Sequence, residues 1–284
     1  MVNWTQAGEN LVLHGDNLAV AATLPDGAFT LVYLDPPFNT GRSQKRQSTT
    51  SVRSASGSVV GFKGQRYERI RGDLMAYDDE FEDYWSFLEP RLAEAWRLLA
   101  DDGTLYLHLD YREAHYAKVL LDALFGRESF LNEIIWAYDY GAKSKSRWPT
   151  KHDTILVYVK NPSGYYFDSE TVDREPYMAP GLVTPEKVAR GKLPTDVWWH
   201  TIVSPTGKEK TGYPTQKPEG ILRRIVQASS REGDWVLDFF AGSGTTGAVA
   251  AALGRRFVLV DESAEAIAVV RARLDTAKAA YLSE

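Results

Sequence analysis

Apolar, β-rich runs alternate with helical patterns along most of this chain, and this alternation constrains the fold more than any other feature. Seven runs have the composition of strands: residues 10–16, 29–34, 103–110, 130–138, 153–160, 234–240 and 256–261. Apolar residues recur at helical spacing in residues 17–23, 78–103, 111–126, 218–229 and 263–282, and Pro90 is expected to kink or divide the second of these helices. Such alternation predicts a Rossmann-like, doubly wound α/β fold, a mostly parallel sheet with helices on both faces.

The chain of 284 residues contains no cysteine, which excludes disulfides, thiolate zinc sites and cysteine nucleophiles. Its five histidines show no H-x-x-x-H or H-E-x-x-H spacing, so no histidine-based metal site is predicted. No apolar run is long enough to span a bilayer, and the first residues lack the layout of a signal peptide. A cytoplasmic protein is therefore expected.

The stretch YLDPPFNTG, residues 33–41, follows directly on an apolar strand. Pro36 and Pro37 cannot continue a hydrogen-bonded ladder, so the strand is expected to end at Asp35. Asp35 and Phe38 then lie on a stiff turn at the carboxyl end of a strand, where open α/β sheets bind ligands. On these residues alone, a structural turn with a capping acid and a packed ring explains the pattern equally well.

A second strand, in residues 234–240, runs into the small-residue loop AGSGTTG, which opens a helix. Gly242, Gly244 and Gly247 satisfy the pattern G-x-G-x-x-G, so a dinucleotide site has to be considered. A Walker A loop requires a lysine after its last glycine, and Ala248 stands there instead. The loop is therefore not predicted to be a P-loop.

Acids at two successive strand ends distinguish between the remaining ligands of this loop. Asp238 precedes the loop, where a carboxylate would repel a pyrophosphate but attract the sulfonium and ammonium groups of S-adenosylmethionine. Asp261 ends the next strand, where an acid can accept hydrogen bonds from ribose hydroxyls, and Glu262 is its adjacent substitute. The alternative is an ordinary strand-to-helix turn with a surface acid.

Three motifs together, DPPF, GYPTQKPEGIL and DFFAGSGTT, closely resemble those of the DNA amino-methyltransferases, which methylate adenine N6 or cytosine N4. The catalytic motif precedes the cofactor loop, which is the order of the β subgroup of that family. The resemblance covers nearly the whole chain. It implies a seven-stranded methyltransferase sheet, S-adenosylmethionine as cofactor and double-stranded DNA as partner.

The same resemblance assigns cofactor-binding roles by position. The expected cofactor contacts are Asp16, Thr215, Lys217, Asp238, Phe240, Ala241, Gly242, Ser243, Gly244, Thr245, Thr246, Asp261 and Glu262. Asp16 matches the family's acid near the adenine of the cofactor, and Thr215 and Lys217 belong to the segment that contacts its carboxylate end. Many members have Glu at the strand end occupied here by Asp261, so either Asp261 or Glu262 is expected to make the ribose contact.

The resemblance also gives the turn a chemical role, with Asp35, Pro36, Pro37 and Phe38 as catalytic residues. An exocyclic amine is a poor nucleophile because its lone pair is delocalised into the ring. Asp35 can accept one N–H of that amine and the carbonyl of Pro36 the other, while Pro37 has no N–H to compete. Phe38 can stack on the base once it has left the helix. The lack of cysteine agrees with attack by an amine.

The expected organisation has a methyltransferase core, residues 1–160 and 213–284, with a target-recognition region at 161–212 and a mobile basic loop at 41–72. That loop carries eight basic residues against one acid although the net charge of the chain is −5. The predicted DNA contacts are Arg42, Lys45, Arg46, Arg53, Lys143, Lys145 and Arg147. Five aromatic residues of the middle region are left open between core and interface: Tyr165, Tyr166, Tyr177, Trp198 and Trp199.

Adenine N6 is the favoured target because an acid at the first motif position usually accompanies adenine in this family, and cytosine N4 is the alternative. An RNA or protein methyltransferase, an NAD-dependent oxidoreductase and an inactive DNA-binding protein are more distant alternatives. A cytoplasmic, nucleoid-associated enzyme without membrane contact is expected. A homodimer and a cognate restriction endonuclease are left open as partners.

Overall fold

The computed structural model describes residues 4, 8–39, 84–139, 141 and 143–283, and the backbone alone of residues 44–53, 59–60 and 66–77. The strands are β1 (Asn10–His14), β2 (Phe29–Leu34), β3 (Gln44–Arg53), β4 (Val59–Val60), β5 (Arg66–Tyr77), β6 (Leu99–Leu109), β7 (Phe130–Ala137), β8 (His152–Val159), β9 (Val197–Trp199), β10 (Trp235–Asp238), β11 (Arg256–Asp261) and β12 (Ala279–Ser283). The helices are α1 (Asn17–Ala21), α2 (Tyr84–Leu98), α3 (Ala114–Phe125), α4 (Pro185–Arg190), α5 (Glu219–Ser229), α6 (Thr245–Ala252) and α7 (Ala264–Arg273).

Nine strands form the main sheet in the part of the chain that is described, in the order β12-β1-β11-β10-β2-β6-β8-β7-β9. Only β8 runs antiparallel to its neighbours, β6 and β7. The strands β2 and β10 are buried along their whole length, as expected for parallel strands covered on both faces. The predicted mostly parallel sheet is confirmed.

Alternate residues of each central strand belong to different halves of the core. In β1, Leu11 and Leu13 pack with helices α1, α2 and α3, whereas Val12 packs with α5, α6 and α7. Successive strand side chains point to opposite faces, so the sheet buries both of its faces under helices. This arrangement confirms the doubly wound α/β class.

The carboxyl end of the chain departs from prediction. The expected helix over residues 263–282 ends at Arg273, and Ala279–Ser283 forms β12, which pairs in parallel with β1. Local helix propensity gives way there because β12 satisfies the backbone groups of an edge strand while Ala280 and Tyr281 pack against the two halves of the core. The main sheet therefore has nine strands and not the seven expected, and the two additional strands are β9 and β12.

Three smaller differences concern connections. The segment expected to be a basic loop contains the antiparallel strands β3, β4 and β5, in a separate three-stranded sheet with Thr50 opposite Ile70. Its β-branched residues support strands despite the polar composition. Helix α2 continues through Pro90 undivided, and β6 begins at Leu99, directly after that helix. Residues 161–212 are not wholly an insertion, because β9 joins the main sheet beside β7.

No helix within the described ranges is both long enough and apolar enough to cross a membrane.

Candidate active site

A cavity of about 400 Å³ lies at the carboxyl ends of β2 and β10. These two strands are parallel neighbours, with Val32 beside Leu237, so the turn after β2 and the loop after β10 face the same space. The predicted site residues that line it are Asp35, Pro36, Pro37, Phe38, Thr215, Lys217, Asp238, Phe240, Ala241, Gly242, Ser243, Thr245, Thr246, Asp261 and Glu262. The catalytic turn and the glycine loop therefore share one cavity.

On the turn after β2, one carboxylate oxygen of Asp35 has a hydrogen-bond partner and the other has none among the described residues. Asp35 Oδ2 accepts a hydrogen bond from the ammonium of Lys217, and both side chains are largely buried. Asp35 Oδ1 is buried and has no hydrogen-bond partner among the described residues. The turn itself is fixed by Tyr84, whose hydroxyl donates to the carbonyl of Pro37 at 2.8 Å. The open oxygen is an acceptor available to a ligand, since a buried polar atom without a partner is costly to leave unmatched.

The ring of Phe38 lies beside a buried chain of hydrogen-bonded polar side chains. Its ring centroid lies 5.9 Å from that of His108. His108 Nδ1 shares a hydrogen bond of 2.8 Å with the hydroxyl of Tyr33, and its Nε2 lies 3.2 Å from Asp153 Oδ2. Burial is the main reason that the pKa of Tyr33 is raised well above its usual value, so Tyr33 stays a neutral phenol in the cavity wall.

At the end of β10, Asp238 is buried and fully bonded within the chain. Its Oδ1 accepts the backbone N–H of Phe240 at 3.0 Å, and its Oδ2 accepts the hydroxyl of Thr246 at 2.6 Å. Burial raises the pKa of Asp238 to about 7, and the nearby charges of Asp35 and Asp261 act in the same direction. An acid poised in this way gains its charge most readily when a cation binds beside it.

The loop after β10 requires glycine at Gly244, which precedes α6 in the left-handed conformation with φ of 72°. A Cβ there would also come within 3.0 Å of Val270. The small residue lets the loop turn sharply and brings its backbone against the cavity.

Asp261 serves this loop as well as lining the cavity. Its Oδ2 accepts the N–H of Gly242 at 2.7 Å and its Oδ1 the N–H of Ser263 at 2.9 Å. Burial raises the pKa of Asp261 above its usual value. Glu262 lines the same cavity and is exposed, so both candidates for the ribose contact are present at the site.

Asp16 does not line the cavity, although its neighbour Asn17 does. Asp16 caps α1 by accepting the N–H of Ala19 at 2.8 Å, and it pairs with Arg91 at 3.1 Å. Asn17 instead donates to the carbonyl of Phe239 at 2.9 Å, which ties it to the loop after β10. Gly244 is the other predicted cofactor residue outside the lining.

Sequence reasoning did not single out eight of the lining residues. Phe87 and Arg91 come from another part of the chain, and the others lie within the predicted motifs or next to predicted site residues: Asn17, Tyr33, Tyr213, Leu222, Phe239 and Ser263. Phe87 and Arg91 lie one turn apart on α2, where the guanidinium of Arg91 stacks 4.0 Å from the ring centroid. Their i, i+4 spacing on the helix after the basic segment was the one available signal.

The predicted DNA contacts fall into three groups. Lys143, Lys145 and Arg147 are exposed on the connection between β7 and β8, whereas Arg42 lies outside the described residues. For the remaining three, Lys45, Arg46 and Arg53, the structure describes the backbone only.

Of the five aromatic residues left open, Trp198 is core, at 7% exposure, and Trp199 is exposed. Tyr165, Tyr166 and Tyr177 are half-buried. Tyr166 lies under the guanidinium of Arg231, 3.9 Å from the ring centroid.

Comparison with known proteins agrees with this geometry. The family model described as DNA methylase, N6/N4 type, matches residues 29–272. DNA adenine methyltransferase YhdJ of Escherichia coli K12 is 31% identical over 274 residues, which is 94% of this chain and 83% of the relative. Type II methyltransferase M.HpaI of Haemophilus parainfluenzae is 29% identical, covering 89% of this chain and 70% of the relative.

Solved structures share the fold at lower identity. The cytosine-N4-specific PvuII DNA methyltransferase superposes with a TM-score of 0.63 at 16% identity, covering 94% of this chain and 89% of that one. The complex of M1.HpyAVI with SAM superposes with a TM-score of 0.59 at 20% identity, covering 93% and 98%. Because the family match spans most of the chain and includes both the turn and the glycine loop, the protein belongs to the N6/N4 family of DNA methylases.

Proposed function

We propose that this DNA methylase transfers a methyl group to N6 of an adenine that has been rotated out of double-stranded DNA. The observation that carries the proposal is Asp35, which lines the same cavity as Asp238 and the glycine loop and whose buried Oδ1 has no hydrogen-bond partner among the described residues. An acid at this position and the resemblance to DNA adenine methyltransferase YhdJ both favour adenine over cytosine. As a member of its family, the enzyme uses S-adenosylmethionine as methyl donor.

The described residues fit that cofactor by charge and position. Asp238 offers a buried carboxylate to a cationic group, and Glu262 and Asp261 stand at the next strand end, where ribose hydroxyls are held. Both oxygens of Asp261 already accept loop N–H groups, which favours Glu262 for the ribose contact. Lys217 provides a cation in the lining, and its carbonyl accepts the hydroxyl of Thr245, another lining residue.

Catalysis follows from the turn. Bound S-adenosylmethionine supplies an electrophilic methyl group. Asp35 Oδ1 accepts one N–H of the adenine amine and the carbonyl of Pro36 the other, which turns the nitrogen lone pair out of the ring plane. The nitrogen gains positive charge as its bond to the methyl carbon forms and the carbon–sulfur bond of the donor breaks to leave a neutral thioether. The carboxylate of Asp35 stabilises that charge in a site largely shielded from water, and the nitrogen then loses one proton to water. Phe38 supplies a face on which the base stacks in place of its lost neighbours.

The DNA would approach the edge of the sheet where this cavity opens. Strands β7 and β6 are both antiparallel to β8, so the connection after β7 emerges at the same edge as Asp35. That connection carries Lys143, Lys145 and Arg147 beside Trp148, whose side chain is 93% exposed. Cations for phosphates next to an aromatic ring for stacking are the two components of a nucleic-acid contact.

The wider organisation belongs to the same proposal. The segment with Arg42, Lys45, Arg46 and Arg53 adds further phosphate contacts, and residues 161–212 choose the target sequence, within a core of 1–160 and 213–284. Binding to chromosomal DNA would place the enzyme at the nucleoid, in the cytoplasm. Several relatives are named Type II methyltransferases, which supports a role in restriction-modification with a cognate endonuclease, and a homodimer is the simplest assembly for a palindromic site.

The identity of the base is tested by incubating the enzyme with duplex DNA and S-adenosylmethionine, digesting the DNA and weighing the methylated nucleoside. N6-methyladenine is the expected product. N4-methylcytosine would overturn the choice of base and leave the role of Asp35 intact, whereas methylation of RNA in preference to duplex DNA would overturn the choice of polymer.

The DNA surface is tested by salt dependence. Replacing Lys143, Lys145 and Arg147 with Gln is expected to lower the slope of log K against log salt by about 0.9 for each phosphate that is no longer neutralised. Trp148→Ala should weaken binding without changing that slope, because it carries no charge. The control is the pair Arg127→Gln and Lys278→Gln, two exposed cations that precede β7 and β12 at the opposite edge. An unchanged slope in the triple variant would remove this connection from the DNA interface.

A further inference from the structure

The ammonium of Lys217 lies against both groups that a target base needs. It pairs with Asp35 Oδ2, and it lies over the face of Phe38, 4.9 Å from the ring centroid. A base that stacks on Phe38 with its amine on Asp35 would have to enter the volume in which the ammonium stands. The contact also offsets part of the charge that Asp35 uses in the reaction.

The backbone of Lys217 belongs to the cofactor side of the cavity. Its carbonyl accepts the hydroxyl of Thr245, the first residue of α6, at 3.0 Å. Thr245 in turn accepts a hydrogen bond from Arg273 Nη1 at 2.9 Å, which fixes it against α7. With the main chain held in this way, the flexible lysine side chain is the part that can move between the base site and the cofactor site.

Lys217 is one of two cations in the described lining of the cavity, and the other is already committed. Arg91 donates to Asp16, to Asn17 Oδ1 at 2.6 Å and to the carbonyl of Phe87 at 2.8 Å. Lys217, by contrast, has Asp35 as its single side-chain acceptor within the described structure. A carboxylate entering the cavity beside Thr215 and Thr245 therefore meets Lys217.

We propose that Lys217 is a positioning residue that exchanges carboxylates. In the ligand-free enzyme it pairs with Asp35 and covers Phe38, and on cofactor binding it moves to the carboxylate of S-adenosylmethionine, which uncovers Phe38 and leaves the full charge of Asp35 to the base. The inference rests on the proposed function, and it adds an order to it: the cofactor binds first and the base second. Entry of a base before the methyl donor is opposed by the ammonium.

The exchange makes S-adenosylmethionine compete with Asp35 for one ammonium, and this competition is measurable without DNA. Affinities for S-adenosylmethionine and for its decarboxylated analogue are compared by calorimetry in the wild type, Asp35→Asn, Lys217→Met and the double variant. The control is Lys210→Met, which removes a lysine of the same segment whose ammonium donates to the carbonyl of Pro205.

Asp35→Asn is expected to bind S-adenosylmethionine several-fold more tightly than the wild type, because Lys217 is released, while its affinity for the decarboxylated analogue changes less than twofold. Lys217→Met should bind S-adenosylmethionine at least tenfold more weakly and the analogue equally well. In the double variant, the gain from Asp35→Asn should vanish.

The exchange would be overturned if Asp35→Asn left the ratio of the affinities for S-adenosylmethionine and its analogue unchanged. It would also be overturned if Lys217→Met weakened the binding of both ligands equally. Neither result depends on which base is methylated, since no nucleic acid is present. A wrong choice of base would instead appear only in the mass of the methylated nucleoside.

Discussion

Asp35 and Asp238 end neighbouring parallel strands and face one cavity, yet the chain treats them in opposite ways. Both oxygens of Asp238 accept hydrogen bonds from the loop that follows it, the N–H of Phe240 and the hydroxyl of Thr246. Asp35 has one oxygen on a movable lysine and the other without a partner in the described structure. The difference corresponds to what each acid is proposed to contact.

Asp238 is proposed to meet a cation, which is recognised through charge and needs no free lone pair of a particular direction. Its hydrogen bonds fix the carboxylate in place and reduce the cost of burying it. Asp35 is proposed to meet an N–H, which needs an open acceptor at one angle. The fold therefore completes the cofactor site in advance and leaves the base site unfinished.

The largest expected effect comes from removing the charge of the unfinished site. Asp35→Asn keeps the shape of the side chain but loses the anion that stabilises the alkylated nitrogen, so kcat should fall by roughly 10²–10⁴-fold. The affinity for S-adenosylmethionine should not fall, which separates this acid from Asp238. Steady-state kinetics measures kcat, and calorimetry measures the affinity for S-adenosylmethionine. The control is Asp234→Asn, because Asp234 precedes β10 at the end of that strand away from the cavity. A loss of less than tenfold in kcat would contradict the catalytic role.

The complementary change tests the completed site. Asp238→Asn can still accept the N–H of Phe240 but offers no charge to a cation, so affinity for S-adenosylmethionine should fall by about 30-fold or more, the usual range for a buried charge partner.

The same substitution should stabilise the ligand-free protein. The folded pKa of Asp238 is raised from its usual value near 4 to about 7, so folding free energy is lost as the pH rises between these two values and stays constant above them. The melting temperature of Asp238→Asn relative to the wild type should therefore increase between about pH 4 and pH 7 and level off at higher pH. A variant that is both less stable at pH 8 and unimpaired in binding would show that Asp238 is structural.

The raised pKa of Asp238 also predicts the pH dependence of binding. Below about pH 7 the carboxyl of the ligand-free enzyme is protonated, and a cation must displace that proton in order to bind. Affinity for S-adenosylmethionine should fall roughly tenfold for each pH unit below this value and level off above it. Calorimetry at several pH values measures the profile. Asp238→Asn should give a flat profile over the same range, and a wild-type profile that is equally flat would refute the assignment.

The parts of this site that could be predicted from sequence are those coded by neighbouring residues. Asp35 and Asp238 each follow an apolar run directly, so both acids were predicted to lie at strand ends, although β2 stops at Leu34, one residue before Asp35, and β10 stops at Asp238, two residues before the end of the predicted run. Distant pairings were not predictable in this way. Lys217 pairs with Asp35, from which it is separated by 182 positions in the sequence. Arg91 lines the cavity, but the apolar spacing of its helix predicts only which face of the helix is buried.

The same division explains the errors in the fold. Residues 279–282 are rich in alanine and continue a helical pattern, but β1 at the other end of the chain offers an unpaired edge, and pairing there outweighs local propensity. Asp16 and Asn17 are adjacent polar residues, and only the helix that begins after Asp16 decides which one caps and which one faces the cavity.

The smallest predicted effect separates the charge of Asp238 from the hydrogen bond that supports it. The hydroxyl of Thr246 lowers the pKa of Asp238 against the effect of burial, so Thr246→Val should raise the pH at which binding of S-adenosylmethionine is half lost. Affinity should fall a few-fold near pH 7 and recover at higher pH, because the carboxylate loses one of the two hydrogen bonds that favour its charged form. Thr245→Val is the matched control, since its hydroxyl donates to Lys217 and not to Asp238. Equal shifts in the two variants would mean that the loss of either threonine hydroxyl, and not the loss of the bond to Asp238, changes the pH profile.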